Sequence, residues 1–228
     1  ASMSEDQAID KLEELVYSFT KEFMNQMVAQ GTTPEYVSLG NETESGMLYP
    51  YGQLYNREDG KTPDEVWPSL ARFYKAGYKA VKDVNPDSQV IIHLDGGGDY
   101  NKYTNYFDHL KNLGANFDII GSSYYPYWTK EAGTCAKDIM GFCNYLIDRY
   151  DRDIVFMETG FNFIPTKPDG WPGQLEDNGV YEGVYASSQE GQKAFLVELF
   201  NALQNVKDGR GIGDLYWEPV MVAQEGVG

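Results

Sequence analysis

Hydrophobic residues along the chain fall into two alternating patterns. Segments in which apolar residues recur every three or four positions predict helices, and short continuous apolar runs bounded by polar or turn-forming residues predict buried strands. The predicted helices cover residues 4–29, 62–85, 103–113, 135–150 and 187–206. The predicted strands are 36–42, 90–92, 117–121, 154–160 and 214–219. Five strands that alternate with helices predict right-handed βαβ units and a parallel sheet.

Two helix beginnings carry strong capping signals. Ser4 and Gln7 fit a capping box, in which the side chains and backbone of the first turn bond each other reciprocally. Thr62 is followed by a proline and two acids, the residues favoured at a helix N-terminus in that order. The first two helices should therefore begin at these positions.

Polar or aromatic residues end every predicted strand. They are Glu42, His93 with Asp95, Tyr124 to Trp128, Glu158, and Trp217 with Glu218. An open doubly wound sheet gathers its ligand at one switch point between strands, whereas a (β/α)8 barrel collects residues from most strand ends on one face. The pattern therefore favours an α/β fold of the TIM (β/α)8 barrel type.

Two of these residues form a candidate catalytic pair. Glu42 and Glu158 each end an apolar run, 116 residues apart in sequence (158 − 42). Glycoside hydrolysis needs two carboxyl groups, because one donates a proton to the leaving oxygen while the other carries negative charge. A single acid after a strand is as often a loop or capping residue, so it is the pair in matching contexts that predicts a glycosidase.

Composition narrows the range of partners. The net charge of −17 repels phosphate backbones and anionic lipid, which argues against nucleic acid and membrane surfaces as partners. The 18 Tyr, 11 Phe and 4 Trp residues offer flat apolar faces for sugars, although the simpler interpretation is that they fill the core. No apolar run of about 18 residues predicts a membrane span, and the first residues do not resemble a signal peptide. We expect a mature or truncated soluble chain.

The sequence predicts neither a metal nor a cofactor. His93 and His109 are the histidines of the chain, and two distant histidines do not make a zinc site. Gly96-Gly97-Gly98 lacks the lysine and spacing of a phosphate-binding loop, and it predicts a tight loop where the backbone passes close to another element. Cys135 and Cys143 lie about 12 Å apart in one predicted helix, too far for a disulfide, so free thiols are expected.

Six short motifs in order span nearly the whole chain. They are Val37-Ser38-Leu39-Gly40-Asn41-Glu42, Gly46-Met47-Leu48-Tyr49-Pro50, Ile92-His93-Leu94-Asp95, Tyr124-Tyr125-Pro126-Tyr127-Trp128, Met157-Glu158-Thr159-Gly160 and Tyr216-Trp217-Glu218-Pro219. Together they resemble the arabinogalactan endo-β-1,4-galactanases of glycoside hydrolase family 53. The resemblance implies a (β/α)8 barrel of the retaining clan A, with the proton donor after strand four and the nucleophile after strand seven.

The resemblance also implies roles for individual residues. Carried over position by position, Glu42 is the acid/base and Glu158 is the nucleophile. Asn41 would bond the 2-hydroxyl of the sugar, and Trp217 would form the platform under the sugar at the cleavage point.

The other strand-end residues are expected to bind substrate. Tyr124 or Tyr125 is expected to donate a hydrogen bond to the nucleophile, and side-chain alternation puts them on opposite faces without indicating which one faces the site. His93 is expected to bond substrate in the cleft rather than to be a buried structural residue. The expected substrate-binding set is Asn41, His93, Asp95, Tyr124, Tyr125, Trp128, Trp217 and Glu218.

A long predicted loop covers residues 161–187. Its aromatic residues Trp171, Tyr181 and Tyr185 favour a substrate wall over packing within the loop. In some members of the family the loop after strand seven binds calcium, but Asp169 to Asp177 lacks the D-x-D-x-[DN] spacing, so no metal is assigned.

Counted against the family's motifs, the chain holds strands four to eight. Residues 1–228 are therefore expected to be a single partial (β/α)8 catalytic domain that lacks the first three strands and the last helix. A five-stranded parallel sheet leaves two unpaired edges. Either a companion fragment or a second copy of the chain completes the barrel, or the fragment folds unusually.

The leading expectation is a retaining endo-glycosidase that hydrolyses β-1,4-galactan, the arabinogalactan type I of pectic side chains, by double displacement. Two alternatives stay open. One is another clan A β-glycanase, such as a mannanase or cellulase. The other is a noncatalytic carbohydrate-binding half-barrel fragment. The resemblance implies a secreted, periplasmic or cell-surface location, with no signal in this chain.

Overall fold

The computed structural model of the chain describes residues 3–126, 136–161, 163 and 184–219. The helices are α1 (Glu5–Ala29), α2 (Pro63–Val84), α3 (Tyr100–Asn112), α4 (Ile139–Tyr150) and α5 (Gln189–Gln204). The strands are β1 (Tyr36–Ser38), β2 (Gln89–Leu94), β3 (Ile119–Tyr124), β4 (Asp153–Thr159) and β5 (Gly211–Tyr216). The predicted alternation of helices and strands, and with it the α/β class, is confirmed. Among the described helices, none combines the length and the apolar character that crossing a membrane requires.

The capping box predicted at Ser4 forms, and the helix start predicted at Thr62 also carries one. Ser4 accepts a hydrogen bond from the backbone N–H of Gln7, whose side chain bonds back to Ser4. At the start of α2 the Glu65 carboxylate accepts from the backbone N–H and the hydroxyl of Thr62, with Pro63 as the first helical residue. These bonds satisfy N–H groups that a helix start leaves without partners.

Strand ends differ from the prediction. β1 stops at Ser38, four residues before Glu42, because the chain then takes positive φ angles at Gly40 (87°) and Glu42 (46°) that no extended strand can hold. β2 continues through Leu94, so His93 lies within the strand and not after it. β3 runs to Tyr124 and not to 121, with every residue of the strand buried.

The chain forms two compact units, with β3 shared between them. Unit 1 comprises Ala1–Leu94 and Asn101–Ile120, and unit 2 comprises Asp95–Tyr100 and Gly121–Gly228. The strand order is β1-β2-β3-β4-β5. In unit 1, β1 and β2 pair in parallel, with Val37 opposite Val90.

The core of unit 1 lies between α2, α3 and β2. The buried face of α2 contains Trp67, Leu70, Phe73 and Tyr74, which are at most 2% exposed. Polar side chains connect α1 with α2 on the other side of α2. The hydroxyl of Tyr17 on α1 donates to the carboxylate of Asp83 on α2 at 2.6 Å. The core of unit 1 is therefore rich in aromatic side chains.

The core of unit 2 contains rings from β3, β4 and α5. Tyr124 packs against Phe156 and Phe195, each with ring centroids 5.9 Å away. Tyr185 was expected to favour a substrate wall, and this was wrong. Its ring is 6% exposed and packs edge-on against Phe161 and Phe195, because the chain before α5 folds back onto the apolar face of that helix. Trp171, Tyr181 and the segment from Asp169 to Asp177 lie outside the described residues.

Candidate active site

Glu42 occupies a tight turn after β1 in unit 1. Its backbone angles, φ 46° and ψ 63°, are left-handed, a conformation that costs a residue with a side chain about 1–3 kcal/mol. The Glu42 side chain is half-buried, whereas Asn41 is exposed. Such strain at a carboxylate beside a strand end needs support from the surrounding structure, and it is an indication of function.

The support comes from Thr43. Its side-chain hydroxyl donates to the carbonyl of His93 at 3.2 Å and accepts from the Tyr74 hydroxyl at 2.5 Å. The Tyr106 hydroxyl donates to the Thr43 carbonyl at 2.7 Å. All these hydroxyl groups are buried, so the residue that follows Glu42 is fixed at both its side chain and its backbone.

His93 lies beside Glu42. A ring nitrogen of His93 and a carboxylate oxygen of Glu42 are within 4.8 Å of each other. His93 is 1% exposed, more buried than a cleft residue was expected to be. Carboxylate and imidazole are also metal-ligand types, so this pair could contribute to a cation site. Asp95 comes directly after β2 and is half-buried.

The glycine loop after β2 passes close to β3, as predicted. In unit 2, the Gly97 N–H donates to the carbonyl of Ser123 at 2.8 Å. A Cβ at Gly97 would lie 2.5 Å from the Ser122 hydroxyl and 2.9 Å from the Ser123 carbonyl. No other residue type fits this close approach without movement of the backbone.

Glu158 lies in unit 2 near the end of β4, at an irregularity in the strand. Phe156 pairs with Asp214 and Thr159 with Tyr216, so three steps along β4 (159 − 156) correspond to two along β5 (216 − 214). A bulge of this kind redirects a side chain out of strict alternation and is common beside active sites. The half-buried Glu158 carboxylate accepts a hydrogen bond from the Tyr125 hydroxyl at 3.0 Å.

The structure separates the two tyrosines. Tyr125 contacts Glu158, whereas the ring of Tyr124 is 0% exposed within the core of unit 2. Alternation at the end of β3 accounts for the difference. Substrate binding by Tyr124 stays a prediction, and Trp128 lies outside the described residues.

Trp217 and Glu218 follow β5 and are exposed. The Trp217 side chain is 44% exposed, and its backbone N–H donates to the Thr159 carbonyl at 2.8 Å, one residue beyond Glu158. Tyr216 adds a second tie between these strand ends, because its hydroxyl donates to the Phe161 carbonyl at 3.0 Å. The backbone at Trp217 is thereby held against the end of β4.

Asp214 is a titratable residue of this region that sequence patterns did not single out. It is half-buried on β5, and its carboxylate accepts a hydrogen bond from the Thr159 hydroxyl. Burial raises the pKa of Asp214 to about 6, and the bond from Thr159 acts in the opposite direction. An aspartate at the start of the predicted strand 214–219 was the available signal, since aspartate is depleted from strands.

Comparisons with known proteins agree on one family. The sequence profile described as Glycosyl hydrolase family 53 matches residues 4–227. The Ignisphaera aggregans GH53 catalytic domain superimposes with a TM-score of 0.78 and 32% identity, covering 96% of this chain and 56% of that chain. The arabinogalactan endo-beta-1,4-galactanase A of Aspergillus niger is 29% identical over 227 residues, which are 96% of this chain and 59% of the relative.

A bacterial relative gives the same coverage. A protein of Niallia circulans, described as uncharacterized and in the bgaB 5′ region, is 32% identical over 213 residues, or 93% of this chain and 57% of its own length. The chain therefore spans less than three fifths of the length of these two relatives. The incomplete TIM (β/α)8 type of fold expected from the sequence is confirmed by the family match together with this partial coverage.

Proposed function

The chain belongs to glycosyl hydrolase family 53, and from that premise we propose that it acts as a retaining endo-glycosidase on β-1,4-galactan, the arabinogalactan type I of pectic side chains. The observation that carries the proposal is the bond from Tyr125 to Glu158 at 3.0 Å. A hydroxyl that donates to a carboxylate stabilises its ionised form, which is the form a nucleophile needs. The galactanase name of the Aspergillus niger relative supports the choice of polymer.

The first step forms a covalent intermediate. The Glu158 carboxylate attacks the anomeric carbon, the bond to the leaving oxygen breaks, and the Glu42 carboxyl group gives its proton to that oxygen. In the second step Glu42 takes a proton from water, and the water oxygen displaces Glu158 from the anomeric carbon. Retention by this route requires the two carboxyl groups to act at about 5–5.5 Å from each other.

Substrate contacts follow from exposure and position. Trp217 offers an exposed indole face on which the apolar side of a sugar ring can stack, and the exposed Asn41 amide can bond the 2-hydroxyl. His93 beside Glu42 can bond substrate or the acid itself. The remaining proposed binding residues are Asp95, Tyr124, Tyr125, Trp128 and Glu218.

We also propose that residues 1–228 act as one partial (β/α)8 catalytic domain and that another part of the barrel completes it, as further chain, a companion fragment or a second copy. Among the strands that the structure describes, β1 and β5 end the strand order, and each has one neighbouring strand. Both strands expose apolar side chains, Tyr36 on β1 in unit 1 and Ile212 and Leu215 on β5 in unit 2. An exposed edge with apolar side chains is a pairing surface.

The polymer substrate supports a secreted, periplasmic or cell-surface location, because a glycosidase encounters polysaccharides of pectic side chains outside the cell. The net charge of −17 supports a neutral polymer over nucleic acid as partner.

The test is the release of reducing ends from galactan, β-mannan and soluble cellulose. The parent chain should act on galactan, Glu158→Gln should be inactive, and Glu42→Gln should lose about 10²-fold or more in kcat. Glu190→Gln, at an exposed glutamate of α5, is the matched control and should keep parent activity. Preference for mannan or cellulose would indicate another β-glycanase, and galactan binding with no reducing ends would indicate a noncatalytic module. Solution mass in the same samples tests completion: full activity from a monomer of 25.7 kDa would contradict it.

A further inference from the structure

We propose that the hydroxyl groups of Thr43, Tyr74 and Tyr106, here called the hydroxyl triad, form a positioning device for the acid Glu42. The triad holds the left-handed turn from which the Glu42 carboxyl group is presented. Its loss should impair protonation of the leaving group and spare the attack by Glu158. The inference rests on the proposed function, in which Glu42 is the acid.

The triad fixes Thr43, the residue that follows Glu42. Tyr106 donates to the Thr43 carbonyl at 2.7 Å, and Tyr74 donates to the Thr43 hydroxyl at 2.5 Å. The two tyrosine oxygens are 2.7 Å apart, so the rings constrain each other as well. Because Thr43 is held at its carbonyl and its side chain, the turn that Glu42 enters is restrained at the residue that follows it.

The same contacts hold the neighbouring strand. The Thr43 hydroxyl donates to the His93 carbonyl at 3.2 Å, and the ring of His93 lies within 4.8 Å of the Glu42 carboxylate. One threonine therefore follows Glu42 in the chain and also bonds the backbone of the residue that carries this imidazole. Gly40 is part of this arrangement, since a Cβ at Gly40 would lie 2.6 Å from the Thr43 methyl carbon.

Hydroxyl groups are not needed here for packing. Tyr74 and Tyr106 are at most 2% exposed, and a phenylalanine ring would fill almost the same volume without desolvating a polar group. Burial raises the pKa of Tyr74 to about 12 and that of Tyr106 well above its ordinary value. Both phenols therefore stay protonated donors across the pH range in which a pair of carboxyl groups works. The triad should not contribute an ionisation to the pH dependence of kcat/KM.

The test uses leaving groups of different acidity. An activated aryl β-galactobioside needs little protonation of its leaving oxygen, whereas galactan needs it fully. We measure kcat/KM, which reports the step that forms the covalent intermediate, on both substrates. Tyr106→Phe should lower kcat/KM about 10-fold on galactan and about twofold or less on the aryl substrate. The loss on galactan is part of the ~10²–10⁴-fold acceleration that general acid catalysis supplies. Tyr74→Phe should lose less on galactan, because both other Thr43 bonds remain.

Tyr103→Phe is the matched control. Tyr103 lies on α3, as Tyr106 does, and is equally buried. Its hydroxyl donates to the Leu94 carbonyl at 2.9 Å and not to Thr43. Its removal should change kcat/KM on the two substrates by the same factor. Where Tyr106→Phe fails to fold, Thr43→Val and Thr43→Ser decide the matter: valine should reproduce the loss on galactan, and serine, which keeps the hydroxyl, should restore activity.

The outcomes separate the two proposals. If Glu42→Gln lowers kcat/KM by the same factor on both substrates, Glu42 is not the acid and the proposed function is overturned. Suppose instead that Glu42→Gln lowers kcat/KM more on galactan than on the aryl substrate. The positioning role of the triad alone is then overturned if Tyr106→Phe lowers kcat/KM equally on both substrates, or if Tyr103→Phe also lowers it more on galactan.

Discussion

The half-buried Asp214 should make the protein less stable as the pH rises from 4 to 7. Its carboxyl group has an ordinary pKa of 3.8, and burial raises the pKa in the folded protein to about 6. Because the fold favours the protonated form, the contribution to the free energy of unfolding is complete below about pH 3.8 and is lost as the pH rises through about 6. At ~1.4 kcal/mol per pH unit, the loss by pH 7 is about 3 kcal/mol.

The assay is urea unfolding of the parent and of Asp214→Asn at pH 4, 5, 6 and 7. Asparagine has the same shape, stays neutral, and can still accept the bond from Thr159. The two proteins should be equally stable near pH 4, and the variant should gain up to about 3 kcal/mol over the parent at pH 7. A stability difference that is constant from pH 4 to 7 would refute the reasoning.

Asp151→Asn is a control of opposite sign. The exposed Asp151 carboxylate accepts a hydrogen bond from Arg210 at 2.7 Å, and this bond lowers the pKa of Asp151. Its stabilisation is present above the unfolded pKa and is lost as the pH falls through the folded one. Asp151→Asn should therefore be less stable than the parent at pH 7, with the difference shrinking toward acid pH.

Three further expectations concern unit 2. Tyr125→Phe should lower kcat on galactan by about 10- to 100-fold, since a hydrogen bond to a charged group contributes ~1.5–3 kcal/mol; an unchanged kcat would exclude this bond from catalysis. Gly97→Ala should lower the free energy of unfolding by about 1–3 kcal/mol, because its Cβ would meet Ser122 at 2.5 Å, whereas Gly213→Ala, with nothing within 4 Å, should cost less in the same urea titration. Burial raises the pKa of Cys143 to about 12. In a Cys135→Ser background, Cys143 should therefore react with a thiol reagent in denaturant and not in the native protein, and fast labelling of the native protein would contradict its burial.

Local signals in the sequence account for much of the scaffold. The helix starts at Ser4 and Thr62 were predicted because each depends on neighbours within one helical turn. The same holds for Gly97, because three consecutive glycines are typical of a backbone that passes close to another element.

The fine geometry beside the glutamates depends on contacts far apart in sequence. Tyr74 and Tyr106 bond Thr43 across 31 and 63 positions, and no pattern around Glu42 indicates them. The bulge that redirects Glu158 has no signal in an apolar strand. The tyrosine facing Glu158 could not be chosen, because β3 runs three residues beyond the predicted end (124 − 121).

The stereochemistry of cleavage tests the central claim most directly. Proton NMR of galactan or a galacto-oligosaccharide during the first minutes of reaction shows which anomer forms before mutarotation. Double displacement by Glu158 and Glu42 predicts that the β-anomer of the new reducing end appears first. Initial appearance of the α-anomer, or no new reducing end from galactan, would contradict the account.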